Sequence, residues 1–271
     1  MTATRSRDAV ARPPRSARRT FLVAACAFAL FVTALLIGRA SAQPPKPPGD
    51  AVGTQLNVVL PTSIRQLPLT DEFGKPTNLA AFDGKVVVLT DFMTLCQEIC
   101  PITTSQLNQI DATVTKAGLA GKVQFVNITV DPDRDTPTRL HAYRAFANLL
   151  PNWTLLTGSA SNLATLWKYF GATYVKAPTD SPAPIDWLTG KPLTYDLIHS
   201  DVLVFLDATG HERYVVDGMV NGTNAPLTSG ERGYLSAEGR ANLADVADAS
   251  WTEPQGLQVV SWLTKKHLHA G

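Results

Sequence analysis

Val86-Val-Val-Leu-Thr-Asp-Phe-Met-Thr-Leu-Cys-Gln-Glu-Ile-Cys-Pro101 decides the fold, because an apolar, β-branched run passes directly into a Cys-x3-Cys-Pro turn. A run this apolar reads as a strand buried on both faces, as in a parallel sheet covered by helices. Pro101 has no N–H and suits the first turn of a helix, and it biases Cys100 away from helical angles. The expectation is a helix starting at about Pro101, with both sulfurs on the turn before it. Free helix N–H groups favour an anion, so both thiols are expected to ionise more easily than free cysteine. Two cysteines four apart in a turn can form a dithiol, a disulfide or a pair of soft metal ligands. A disulfide closing so small a loop restricts the unfolded chain little. Structural zinc takes four ligands, and no second cysteine pair exists.

Outward from this stretch, strands and helices alternate. Apolar periodicity predicts helices over 101–117, 137–149 and 161–170, the last with Leu163, Leu166 and Trp167 on one face. Strands are expected at 123–130, 153–156, 202–206 and 213–216, the last two flanking an Asp207-Ala-Thr-Gly210 hairpin turn. A short hairpin around Gly74 falls in 67–82. The pattern predicts an α/β thioredoxin-like sandwich with a central mixed β-sheet. Residues 177–195 read as an insertion rich in proline and turn formers. Residues 221–271 read as a C-terminal helical extension that packs on the domain through Leu243, Val246, Trp251, Val259 and Trp262. The resulting division is a leader at 1–42, a proline-rich linker at 43–54, the domain at 55–220 and the extension.

Charge is unevenly distributed. Residues 1–42 carry seven arginines and one aspartate, net +6, whereas the remainder carries net −5, which argues against nucleic acid as a partner. Residues 21–38 are apolar apart from Thr33 and follow the basic segment, and Ala40-Ser41-Ala42 suits signal-peptidase cleavage. The run is also just long enough to cross a bilayer, so it is either a cleaved signal or a retained membrane anchor. In both cases the positive-inside rule puts the domain outside the cytoplasm, on the bacterial periplasmic side. Cys26 reads as filler within the apolar run. In an oxidising compartment a dithiol needs a reductant or a metal.

Five histidines are available as a third ligand. His141 falls on a helix surface, His211 in a hairpin tip, and His267 and His269 in the tail. His199 instead opens the strand that runs to Leu206, so a buried element holds it, and in a thioredoxin-like sheet this loop lies near the cysteine turn. Asp131, Asp133 and Asp135 have the spacing of a calcium loop, but Thr136 replaces the required glycine and Ala142 the bidentate glutamate. Thr136 is expected to cap the next helix and Pro137 to be its first residue. The three acids are candidates for a charged docking rim beside the site.

Taken together, these stretches resemble the Sco/SenC copper chaperones of respiratory oxidase assembly. Cys96-Gln-Glu-Ile-Cys100-Pro101 looks like the family's metal turn. Residues 123–137, Leu156-Thr-Gly-Ser159 and Ile198-His199-Ser200 follow in the family's order and spacing. The resemblance implies Cys96, Cys100 and His199 as ligands of one copper ion per chain, Cu(I) or Cu(II), delivered to a copper-receiving oxidase subunit. It implies a metallochaperone rather than an enzyme, attached to or exported across the membrane, with a thioredoxin-like reductant as a further partner. Two thiolates and an imidazole are a soft set that suits copper. The alternative is an exported thiol–disulfide oxidoreductase, with Cys96 attacking and Cys100 resolving. Two positions depart from the family pattern: Gln97 stands where proline is common, and Ile198 where an aspartate usually precedes the histidine. Loss of that aspartate would remove a hydrogen-bond partner of the ligand.

Overall fold

The computed structural model describes residues 43–244 and 249–270, and from Pro45 onward these form one compact unit. The leader, with its signal or anchor and Cys26, lies outside the described residues, as does Val246. No helix among the described residues is long and apolar enough to cross a membrane.

The frame is an eight-stranded mixed sheet. Its members are β1 (Thr54–Val59), β2 (Leu69–Asp71), β3 (Pro76–Thr77), β4 (Val86–Phe92), β5 (Val123–Thr129), β6 (Trp153–Thr157), β9 (Val202–Leu206) and β10 (His211–Asp217), ordered β1-β10-β9-β4-β5-β6-β2-β3. A separate hairpin pairs β7 (Tyr174–Ala177) with β8 (Asp196–His199). The helices are α1 (Thr62–Arg65), α2 (Cys100–Lys116), α3 (Pro137–Phe146), α4 (Ala160–Phe170), α5 (Ser229–Tyr234), α6 (Ala237–Ala244) and α7 (Glu253–Thr264). This is the expected thioredoxin-like α/β arrangement.

Strands β4, β5 and β6 run parallel, as βαβ crossovers require, and every residue of β4 and β5 is buried. Their register pairs Phe92 with Thr129, so the turns that leave the two strands, residues 93–99 and 130–136, start side by side. The Val130 N–H donates to the Phe92 carbonyl at 2.9 Å and carries the pairing one step past the strands. On the other flank, β9 lies antiparallel to β4, with Leu203 opposite Thr90. The cysteine turn therefore emerges from the middle of the sheet.

Several expected boundaries move. Helix α2 starts at Cys100, with Pro101 inside its first turn, because Ile99 already has helical angles (φ −102°, ψ −34°). Helix α3 ends at Phe146, short of residue 149, where the chain turns through Asn148 at φ +50°. Thr136 and Pro137 behave as read: the Thr136 side chain accepts the Arg139 N–H and Pro137 opens the helix. The proline-rich stretch does not stand free of the domain, since Tyr214 Oη donates to the carbonyls of Pro48 and Gly49 and Gln258 donates to that of Lys46. The insertion is anchored too. Arg139 holds Asp186 through two hydrogen bonds of 2.9 and 2.6 Å, Trp187 stacks on Phe146, and its indole N–H donates to the Thr94 carbonyl.

Candidate metal centre

Cys96 sits in the turn after β4, where its N–H donates to the Met93 carbonyl at 3.3 Å. Cys100 opens α2, and its N–H points at the Cys96 sulfur at 3.4 Å. His199 ends β8 and does not open the next strand, which begins at Val202. Its Nε2 lies 3.2 Å from Cys100 Sγ. The three candidate ligand atoms lie within 4.8 Å of one another, and among the described residues this is the only group of three or more Cys, His, Asp or Glu side chains able to share an ion. Both thiols are free.

The imidazole is held from behind by a residue that sequence reasoning missed. Nδ1 of His199 lies 3.0 Å from Asp91 Oδ2 and 2.7 Å from the Ser200 carbonyl oxygen. Both neighbours accept, so Nδ1 carries a proton and Nε2 is the nitrogen that faces the sulfurs, able to ligate once its own proton is lost. The other oxygen of Asp91 accepts the Val202 N–H at 2.8 Å, which ties the carboxylate to the start of β9. Asp91 therefore fills the role that the missing aspartate would have had, while Ile198 faces solvent at 63% exposure. Its signal in the sequence was the lone charged residue in a buried, mostly apolar strand, since a buried charge needs a partner.

The expectation of easily ionised thiols is overturned. The neighbouring Cys100 thiol and burial hold the Cys96 thiol well above its ordinary range, and burial also raises that of Cys100. Removing the sulfurs from water disfavours the thiolate more than one weak N–H contact favours it. Burial by itself would lower the His199 pKa, but the Asp91 carboxylate and Cys96 outweigh it and push it well up.

Cys96 and His199 line a cavity of about 380 Å³, together with Glu98, Asp180, Asp196 and Glu238. Among the described residues no lysine or arginine lines it.

The other histidines lie elsewhere. His141 packs its ring edge against Phe73, and His211 lies against Thr209 and Asp207. His267 and His269 are exposed in the tail. The acidic turn is no docking rim. Asp131 and Asp135 are buried, Asp131 pairing with Arg134 and accepting the Tyr195 hydroxyl; only Asp133 is exposed, and it pairs with Lys176. Hydrogen-bond donors around the two buried carboxylates draw them inward.

The SCO1/SenC family model matches residues 62–224, which include the whole Cys-Cys-His cluster. The chain belongs to the SCO1/SenC family. Within it, the chain is 32% identical over 131 residues to a putative copper-binding protein of Stutzerimonas stutzeri, a match covering 47% of this chain and 63% of that protein. It is 30% identical over 145 residues to the mitochondrial SCO2 homolog of Mus musculus, covering 54% of this chain and 55% of that protein. Both matches thus span less than two thirds of the relative's length. Among solved structures, a SCO1/SenC family lipoprotein from Bacillus anthracis is 29% identical with a TM-score of 0.47, covering 67% of this chain and 95% of that one. Copper-bound ScoI from Bradyrhizobium japonicum is 23% identical with a TM-score of 0.47, covering 66% and 99%.

Proposed function

We propose that this SCO1/SenC protein binds one copper ion through Cys96 Sγ, Cys100 Sγ and His199 Nε2 and delivers it, as cargo, to the copper site of a cytochrome oxidase subunit during assembly. The observation that carries the reading is the convergence of two thiols and one oriented imidazole beside an open cavity. This donor set matches a soft ion, and three ligands leave a position open to an incoming thiolate. Loading displaces the protons of both thiols, so affinity rises with pH. The carboxylates around the cavity favour a cation at its wall.

The domain works on the periplasmic side, attached to the inner membrane or released after cleavage of the leader. A thioredoxin-like reductant there would keep Cys96 and Cys100 as thiols. Thiol–disulfide exchange by the same pair is the competing activity. Both activities need the thiolate, so the burial that raises the two thiol pKa values bears on attack and on copper loading alike.

Copper titration of the reduced protein, followed by absorption spectroscopy, tests the proposal. The expected result is one ion per chain with a thiolate-to-Cu(II) charge-transfer band. Absence of bound copper together with rapid disulfide exchange would overturn it in favour of the oxidoreductase.

A further inference from the structure

The C-terminal extension reaches back over the cysteine turn. The Ser236 N–H donates to the Gln97 carbonyl at 2.9 Å, and the Tyr234 hydroxyl lies 3.4 Å from the Leu95 carbonyl. The Ser236 hydroxyl accepts the Gly239 N–H at 3.0 Å and so caps the first turn of α6. That turn presses on the loop. A Cβ on buried Gly239 would overlap the Gln97 carbonyl oxygen and come within 3.0 Å of Glu98 Cα. Glycine inside a helix is unfavourable relative to alanine, so its presence at Gly239 is explained by this approach. The segment lies beyond residue 224, outside the family match.

Resting on the copper site proposed above, we infer that residues 234–239 are a clamp that positions Cys96, with Gly239 and the Ser236 N–H as its two holding points. Gln97 is the first of the three residues between the cysteines, directly after Cys96, and has no proline ring to stiffen it. The loop's own hydrogen bonds hold its two ends: Cys96 N–H to the Met93 carbonyl, Cys100 N–H to the Cys96 sulfur, the Met93 backbone to Cys100, and Thr103 N–H to the Ile99 carbonyl. The extension supplies a donor to the residue that follows Cys96 and a backbone surface against the loop. Cys96 is thereby kept buried and facing Cys100 and His199. Among the described residues Gly239 and Ser236 make no hydrogen bond to Cys96, Cys100 or His199, so they act through the loop.

The clamp is tested without copper, by following alkylation of Cys96 with iodoacetamide in the reduced, metal-free full chain, resolved by peptide mass spectrometry. Gly239→Ala should raise the rate about tenfold, the factor corresponding to ~1.4 kcal/mol of lost loop protection. Ser236→Pro removes the donor to Gln97 and should do the same. Leu235 precedes it at ψ 139°, an angle that tolerates a following proline. Ser236→Ala keeps the N–H, and Gly233→Ala adds its methyl to open space, so both should stay within about twofold of wild type. Folded Gly239→Ala and Ser236→Pro proteins alkylated at the wild-type rate would overturn the clamp. A rate increase shared equally by Gly233→Ala would also overturn it, since the effect would then be general loosening of the extension. Copper titration of the same variants separates the two proposals. Weaker binding in Gly239→Ala with unchanged stability supports both, whereas fast alkylation in a wild-type protein that binds no copper leaves the clamp standing and removes the metal reading.

Discussion

Two neighbouring turns of this fold solve the same structural problem in opposite ways. Residues 93–99 and 130–136 both leave a fully buried parallel strand and both lead into a helix. In the second turn every reactive-looking group is consumed by the fold. Asp135 accepts hydrogen bonds from the Thr94 N–H and from the hydroxyls of Thr94 and Thr129, and Asp131 is held by Arg134 and Tyr195. In the first turn the sulfurs meet the Cys100 N–H, the Met93 backbone and an imidazole, and Cys96 lines a cavity. The same position in a sheet therefore yields a structural brace where donors surround the polar atoms, and a candidate binding site where they do not. The two are also linked, because the Thr94 that braces Asp135 stands two residues before Cys96.

The comparison is broken most directly at His199. His199→Ala should lower copper affinity more than about 100-fold, ~2.7 kcal/mol, while altering dithiol exchange only mildly; a competition titration that finds wild-type affinity removes the third ligand. In the other turn, Asp135→Ala should cost about 2–3 kcal/mol of stability in a urea titration, because three donors lose their acceptor. The folded variant should still bind one copper per chain. Loss of copper by a folded Asp135→Ala protein would show that the two turns are not separable in function.

Asp91→Asn should weaken copper binding by about 10–100-fold, since it exchanges the acceptor at Nδ1 of the ligand for a poorer one. Comparable in size is a pH effect. Burial pushes the Asp135 carboxyl up from an ordinary 3.8 to about 6, despite the hydroxyls that favour its charged form. Its folded pKa exceeds the unfolded value, so its contribution to stability is complete below about pH 4 and is lost as pH rises through 6, a loss on the order of 3 kcal/mol. Urea midpoints from pH 4 to 7 should fall in the wild type and fall less in Asp135→Ala. Asp111 and Asp201, also raised to about 6 by burial, leave a residual slope. The smallest change is expected from Ile198→Asp, which restores the family's usual acid. With Asp91 already on Nδ1, copper affinity should move by less than about threefold.

Much of this was readable in the chain. The strands β4 and β5, the helices that follow them, the Thr136 cap and the hairpin turn at Asp207 are dictated by local patterns: β-branched runs, apolar periodicity and turn residues. The pairing of Cys96 with Cys100 is local too, and their kinship with His199 came through a family resemblance. The misreadings arose where one residue's behaviour depends on surroundings contributed from far away. The thiols were expected to ionise readily from their place before a helix, but the burial that raises their pKa comes from the packed fold. The acids at 131–135 looked like a surface rim because Thr94, Thr129 and Tyr195, which draw them inward, are scattered over more than a hundred residues of chain.

Sequence alone determined the order of elements, the soft character of the cysteine turn and the family to which the chain belongs, because each is written in contiguous residues or in motifs of fixed spacing. Only the tertiary structure decided that Asp91 orients His199, that the cysteines are buried thiols, and that Gly239 and Ser236 close over Gln97. Those contacts join residues up to 142 positions apart, as between Gln97 and Gly239. No local preference encodes them; they exist only once the sheet and its helices have brought the segments together.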